Sequence, residues 1–238
     1  MDFEFTEEQE AFRKEVRDFL EEEIKKGTFT PKCDAWLSGY SREFTRKVGE
    51  RGWIGMTWPK EWGGREHGFI YRLIYTEEML RYGAPAAGHW YNDRQVGLAI
   101  IHYGTEEQKR EFLPRIRSGE IFFAVGMSEP EAGSDLAGLQ TRAVEDGDYY
   151  IINGQKTWTG GAHHCDYVYL LARTDPEASK HRGISEFIVD LKLPGITISP
   201  IIDMSGGHHV NDVFFDGVRV HKKYMVGEKN RGWYVAMA

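Results

Sequence analysis

The residues with most capacity for chemistry are gathered in Met127-Ser128-Glu129-Pro130-Glu131-Ala132-Gly133-Ser134-Asp135, which follows a strand-like run, Ile121 to Val125. Pro130 and Gly133 are expected to set a sharp turn there, and Ser128, Ser134 and the backbone N–H groups around Gly133 offer several donors in a small space. Such a loop can hold a polar or anionic ligand; turn capping is the plainer use of the same residues. A second segment, Asn153-Gly154-Gln155-Lys156-Thr157-Trp158-Thr159-Gly160-Gly161, adds an indole, hydroxyls and glycines. The pairs His163-His164, followed by Cys165-Asp166, and His208-His209 supply good metal ligands by type. Adjacent histidines in a strand point to opposite faces, however, so no metal site is expected and structural or polar surface roles are.

The elements that must position these residues change period once along the chain. Thr6 with Gln9 three residues on reads as a capping box, and Phe12, Val16, Phe19, Leu20 and Ile24 follow on one helical face until Gly27. A second helix is expected over Ser38 to Glu50, then a loop from Trp58 to Gly64 whose tryptophans, with Trp53, read as packing. Helices ending near Gly83 and Gly104 come next, the second largely buried, and Thr105 with Gln108 opens another that ends before Gly119. From Ile121 onward the runs are short, β-branched or aromatic: Ile121 to Val125, Leu139 to Val144, Tyr149 to Ile152, Tyr167 to Ala172, Ile184 to Val189, Ile196 to Ile201 and Val213 to Phe215. Glu145-Asp146-Gly147-Asp148 is a hairpin turn between two of them.

The expected architecture is therefore α+β, an all-helical amino-terminal domain followed by an antiparallel β-barrel or sandwich. The boundaries read as 1–118 helical, 119–228 β, and 229–238 the start of a further helix. Trp233, Val235 and Met237 in that last piece are expected to lack most of their packing partners. A length of 238 residues with 41% hydrophobic residues is ample for packed cores. The net charge of -7, with dispersed basic residues, argues against nucleic acid. No run approaches the roughly eighteen apolar residues of a membrane span, and the acidic first helix is unlike a signal peptide, so a cytoplasmic protein is expected. Cys33 and Cys165 are expected to be free thiols.

Taken in order, the motifs resemble the acyl-CoA dehydrogenases over nearly the whole chain. The resemblance is carried by Gly52-Trp53-Ile54-Gly55-Met56, Trp58-Pro59-Lys60-Glu61-Trp62-Gly63-Gly64 and the two segments above. It continues through His181-Arg182-Gly183-Ile184, Pro194-Gly195-Ile196 and Asn211-Asp212-Val213-Phe214-Phe215-Asp216-Gly217-Val218-Arg219-Val220. It implies FAD as cofactor, lined on one side by Val125 to Ser134. Met127 and Ser128 would face the flavin ring, and Gly133 and Ser134 would lie near the pyrophosphate, with Ser134 also touching the acyl-CoA substrate. Trp158 would pack on the ring, a plain core tryptophan being the alternative, and Thr159 would follow it. Gly160 stands where the family commonly has a threonine hydroxyl near flavin N5.

The implied reaction is α,β-dehydrogenation of an acyl-CoA thioester, with electrons passing to an electron-transfer flavoprotein and the protein working as a homo- or hetero-oligomer. The family's glutamate base belongs to a carboxy-terminal helical domain, so no catalytic residue is assigned in this chain. A fragment, a split-gene product or a subunit needing a partner is expected. The alternatives are a non-catalytic subunit that binds acyl-CoA or protein, and a related flavin oxidase or monooxygenase on the same scaffold.

Overall fold

The computed structural model describes residues 4–237; residues 1–3 and 238, at the outer ends of the first and last expected segments, lie outside the described residues. The chain forms two compact units, one of residues up to Asp93 with Pro114–Glu120, the other of Arg94–Leu113 with Ile121 onward.

In the first unit, α1 (Glu7–Lys25) begins with the expected box: the Thr6 hydroxyl accepts the Gln9 N–H at 3.3 Å, and the Gln9 side chain accepts the Thr6 N–H at 2.9 Å. The single helix expected over Ser38 to Glu50 is two, α2 (Ala35–Ser38) and α3 (Arg42–Glu50), because Ser41 turns outward to cap the Phe44 N–H. Next comes α4 (Phe69–Arg81), tied to α1 through Glu78, which is 1% exposed and accepts from Arg13 at 2.8 Å and from Arg17 at 2.8 and 3.0 Å. The expected buried helix ending at Gly104 is interrupted. It runs as α5 (Ala87–Tyr91), a π turn over Asn92–Val96 and α6 (Gly97–Tyr103). The widened turn brings Asp93 inward, where its carboxylate accepts the Gly55 N–H at 2.6 Å and its carbonyl accepts the Trp58 indole N–H at 3.0 Å.

The second unit contains α6, the first part of α7 (Glu106–Arg117) and all the strands. Gln108, already engaged in a cap with Thr105, donates its amide to the carbonyls of Lys223 at 2.6 Å and Met225 at 2.9 Å, while Phe112 meets Phe123 and Tyr167 edge-on. Among the described residues eight strands follow: β1 (Phe123–Gly126), β2 (Arg142–Asp146), β3 (Tyr149–Gly160), β4 (Tyr167–Arg173), β5 (Ile184–Asp190), β6 (Ile196–Ile202), β7 (His208–His221) and β8 (Met225–Val226). They order as β6-β7-β3-β2-β4-β5-β8, with β1 beside β4. The sheet is mostly antiparallel, with β1 and β2 pairing β4 in parallel. A strand that returns after the β2–β3 hairpin runs in the direction of β2, which accounts for the mixture.

β3 and β7 run far beyond the apolar stretches that announce them, at 12 and 14 residues, because each is the other's partner. Pairing, not side-chain propensity, extends Asn153–Gly160 as a strand. The interior is filled by Ile152, Val168, Leu170, Phe187, Val213 and Val218, among others. The short α8 (Gly232–Ala236) lays Val235 against the sheet at 4% exposure and stacks Trp233 edge-on to His181, so of the three apolar residues expected to lack partners only Met237 is mostly exposed, at 52%. Cys33 and Cys165 are free thiols, and no helix among the described residues is long and apolar enough to cross a membrane.

Candidate functional site

β1 carries Val125, half-buried opposite Tyr169 on β4, and delivers the chain into the Met127 loop. Gly126 is needed at the exit, since a Cβ there would lie 2.9 Å from Val168 and 3.1 Å from Leu170. The turn itself spans Glu129 to Ala132, which exchange backbone hydrogen bonds of 3.0 and 3.1 Å with Pro130 and Glu131 at the tip. Gly133 therefore lies outside the turn that it was expected to set. It is exposed, has no left-handed φ, and has nothing within 4 Å of where a Cβ would stand.

The second segment is brought against the first by two contacts. The Thr157 N–H donates to the Ser128 carbonyl at 2.9 Å, and the Lys156 ammonium donates to the Met127 carbonyl at 2.9 Å. Lys156 is wholly buried and also donates to Glu129 at 2.8 Å; Glu129, 6% exposed, accepts in addition the N–H groups of Gln140 at 2.6 Å and Thr141 at 2.9 Å. Burial opposes the charge on Glu129, but Lys156 and these N–H donors hold its carboxyl below the usual carboxylate range.

Immediately after Lys156 the β3–β7 register slips, and Trp158 takes a left-handed backbone at φ 56°. A bulge of this kind re-aims a side chain. Lys156 and Thr157 stay buried in succession while the Trp158 indole swings out to 63% exposure. Thr159 returns inward at 1% exposure, its hydroxyl without a partner, and Gly160 is half-buried. Ser128 is half-buried and Ser134 exposed; their hydroxyls make no hydrogen bond among the described residues, and neither does the Ser128 N–H. Met127 packs its side chain on the small cluster of Ala132, Leu139, Leu171 and Ile184.

The histidines form a cluster of their own beside this segment. His163 and His164 sit in a 3-10 turn (Ala162–His164) and not in a strand, so the opposite-face argument does not apply to them, and their rings approach to 4.0 Å. His163 stacks on His208 at 3.7 Å, and both imidazoles hydrogen-bond the Asn211 side-chain oxygen, at 3.1 and 2.6 Å. Asn211 in turn donates to the Thr159 carbonyl at 3.0 Å. His163 keeps an exposed side chain, yet partial desolvation, with His164 and His208 close by, pulls its pKa down to about 4. Among the described residues no group of three or more His, Cys, Asp or Glu side chains could hold a metal.

The structure thus holds the Met127–Glu129 stretch of the loop against Lys156 and Thr157 of the bulge, from which the Trp158 indole points outward; Gly133 and Ser134 lie further along the loop. Residues 6–120 match the family described as "Acyl-CoA dehydrogenase, N-terminal domain", and residues 124–218 match "Acyl-CoA dehydrogenase, middle domain". The chain belongs to the acyl-CoA dehydrogenase family. It is 42% identical to acyl-CoA dehydrogenase FadE29 of Mycobacterium tuberculosis over 98% of this chain and 60% of that protein. Among solved structures, the ChsE4-ChsE5 complex from Mycobacterium tuberculosis aligns at TM-score 0.89 and 40% identity, covering 100% of this chain and 60% of the other. The Tcur3481-Tcur3483 steroid ACAD aligns at TM-score 0.90 and 38% identity, covering 100% of this chain and 62% of the other. The chain therefore spans about 60% of the length of the relatives it matches.

Acyl-CoA dehydrogenases are typically FAD-dependent. The residues present suit that group: an exposed indole offers a flat apolar wall for a flavin ring, and the unpartnered hydroxyls of Ser128 and Ser134 beside an open Gly133 offer donors and clearance for phosphate oxygens. The Thr159 hydroxyl, by contrast, is closed off from solvent. Lys156, Glu129 and Asn211, which hold the two segments in place, carried no assigned role in the sequence. Lys156 and Glu129 stood inside the two motifs, but a lysine in a polar run gives no sign of burial until its strand partner is known.

Proposed function

We propose that this chain is the flavin-facing part of an FAD-dependent acyl-CoA dehydrogenase that introduces an α,β double bond into an acyl-CoA thioester within a two-component assembly. The observation that carries this is the pairing of free Ser128 and Ser134 donors with an indole that a strained backbone holds outward, a costly arrangement for a residue that normally buries itself. When bound, FAD supplies the hydride acceptor. Trp158 would cover the ring and limit water, the Ser128 amide and hydroxyl would meet ring acceptors, and Gly133 and Ser134 would lie toward the pyrophosphate, with Ser134 also reaching the acyl-CoA. Val125 and Met127 would support this wall from behind, and Thr159 and Gly160 would contribute backbone only.

The base that removes the α-proton would come from a carboxy-terminal helical domain, in the same polypeptide or a second one. The likeness to the ChsE4-ChsE5 complex and to the Tcur3481-Tcur3483 steroid ACAD supports a two-chain assembly and a bulky, steroid-bearing acyl group. In the same reading, residues 1–118 and 119–228 are the helical and flavin-binding domains, and an electron-transfer flavoprotein takes the electrons. The test is the visible spectrum of the purified chain mixed with a candidate partner. A flavin spectrum that bleaches anaerobically with steroidal acyl-CoA is the expected result; no flavin with any partner would overturn the reading.

A further inference from the structure

Met127 and Ser128 share one peptide unit, whose two ends are in unlike surroundings. Its carbonyl accepts from the Lys156 ammonium at 2.9 Å, inside the protein, while its N–H makes no hydrogen bond among the described residues and belongs to a half-buried residue. A cation bound to a peptide oxygen draws electron density from the amide and makes the N–H a stronger donor, more so where the surroundings are of low dielectric. Lys156 has no exposed surface: burial works against its charge and lowers its pKa, Glu129 works for the charge, and the charge is not spread into solvent.

We infer that Lys156 is a positioning residue for the flavin-facing loop: its ammonium fixes the Met127–Ser128 peptide beside Trp158 and sharpens the Ser128 N–H as a donor toward an electron-rich ring acceptor. Glu129 makes the device tenable. It neutralises Lys156 at 2.8 Å and anchors the exit of the loop through the Gln140 and Thr141 N–H groups, so one ion pair holds the entry and the exit of the turn together. A second buried carboxyl near Lys156, Glu186 on β5, has no hydrogen-bond partner among the described residues; burial pushes its pKa well above the ordinary value, which disfavours its charge and leaves the pairing to Glu129. The ligand in this inference rests on the flavin reading above; the effect on the peptide does not.

Lys156→Met alone would strand Glu129, so the experiment uses Lys156→Met with Glu129→Gln, which removes both charges and keeps the volumes. In the full chain without flavin, the Ser128 amide should move upfield in its proton and nitrogen resonances and exchange more slowly with base-catalysed solvent protons, because the less polarised N–H is less acidic, while far-ultraviolet dichroism is unchanged. In the flavin-loaded protein, FAD affinity should fall at least about tenfold, and the flavin potential should become more negative as the reduced ring loses a donor. An unchanged Ser128 amide overturns the inference, whatever happens to FAD. So does a shifted amide with wild-type FAD affinity and potential. If wild-type protein binds no FAD but the amide shifts as expected, the flavin reading fails and the positioning of the loop by Lys156 stands.

Discussion

Two segments of similar composition have opposite fates. Trp58-Pro59-Lys60-Glu61-Trp62-Gly63-Gly64 in the helical unit and Trp158-Thr159-Gly160-Gly161 in the strand unit each open on tryptophan and close on a glycine pair. Trp58 has no exposed surface, its N–H is satisfied by the Asp93 carbonyl, and its neighbours are glycines because nothing larger fits: a Cβ on Gly64 would lie 2.0 Å from the Trp58 carbonyl oxygen. Trp158 is 63% exposed, and Gly133, in the Met127 loop, has open space where a Cβ would stand. Glycine serves close packing in the first case and clearance in the second. A motif rich in tryptophan and glycine is thus a core or a site according to what its backbone pairs with.

The contrast sharpens into substitutions of unequal effect. Trp58→Ala should cost about 3–5 kcal/mol in urea unfolding, the range for removing a large buried aromatic. If its loss is under about 1 kcal/mol, the first segment is not core. Acid should test the helical core next. His89 in the helical unit is buried between Thr45 and Tyr75, and burial lowers its pKa from 6.5 to about 4. The unfolded chain then binds the proton that the folded one refuses, so this stability is fully present above pH 6.5 and lost as pH falls toward about 4. The loss is on the order of 3 kcal/mol, and His89→Gln should flatten that stretch of the stability–pH curve.

Gly64→Ala should destabilise by roughly 1–3 kcal/mol through forced overpacking, whereas Gly133→Ala should change stability by less than about 0.5 kcal/mol. A stability loss at Gly133 equal to that at Gly64 would erase the distinction between packing and clearance. In unfolding terms Trp158→Ala should likewise lie within about 0.5 kcal/mol of wild type and yet weaken FAD binding, measured by retained flavin absorbance. Normal flavin retention in that variant would remove the indole from the proposed site.

The helical caps were legible because they are local: Thr6 with Gln9 and Thr105 with Gln108 need only residues three apart, and both boxes are present. Helix faces and the shift to strands at Ile121 were legible for the same reason. What sequence reading missed depends on a partner. The π turn that splits the buried helix exists because Asp93 is drawn to Gly55 and Trp58, 38 and 35 residues away. Half of β3 is polar and becomes a strand only because β7 pairs it.

The same division holds at the site. Residue types alone placed Ser128 and Ser134 among the groups able to meet a ligand, because donor capacity is intrinsic to a side chain, while Trp158 was singled out by the resemblance. Which way those groups point was decided by tertiary structure. A register slip against β7 turns Trp158 outward and Thr159 inward, and an ammonium on β3 clasps a loop 27 residues earlier through Glu129. Burial of a charge and the reach of a hydrogen bond depend on what lies across the sheet, and no local pattern of residues contains that information.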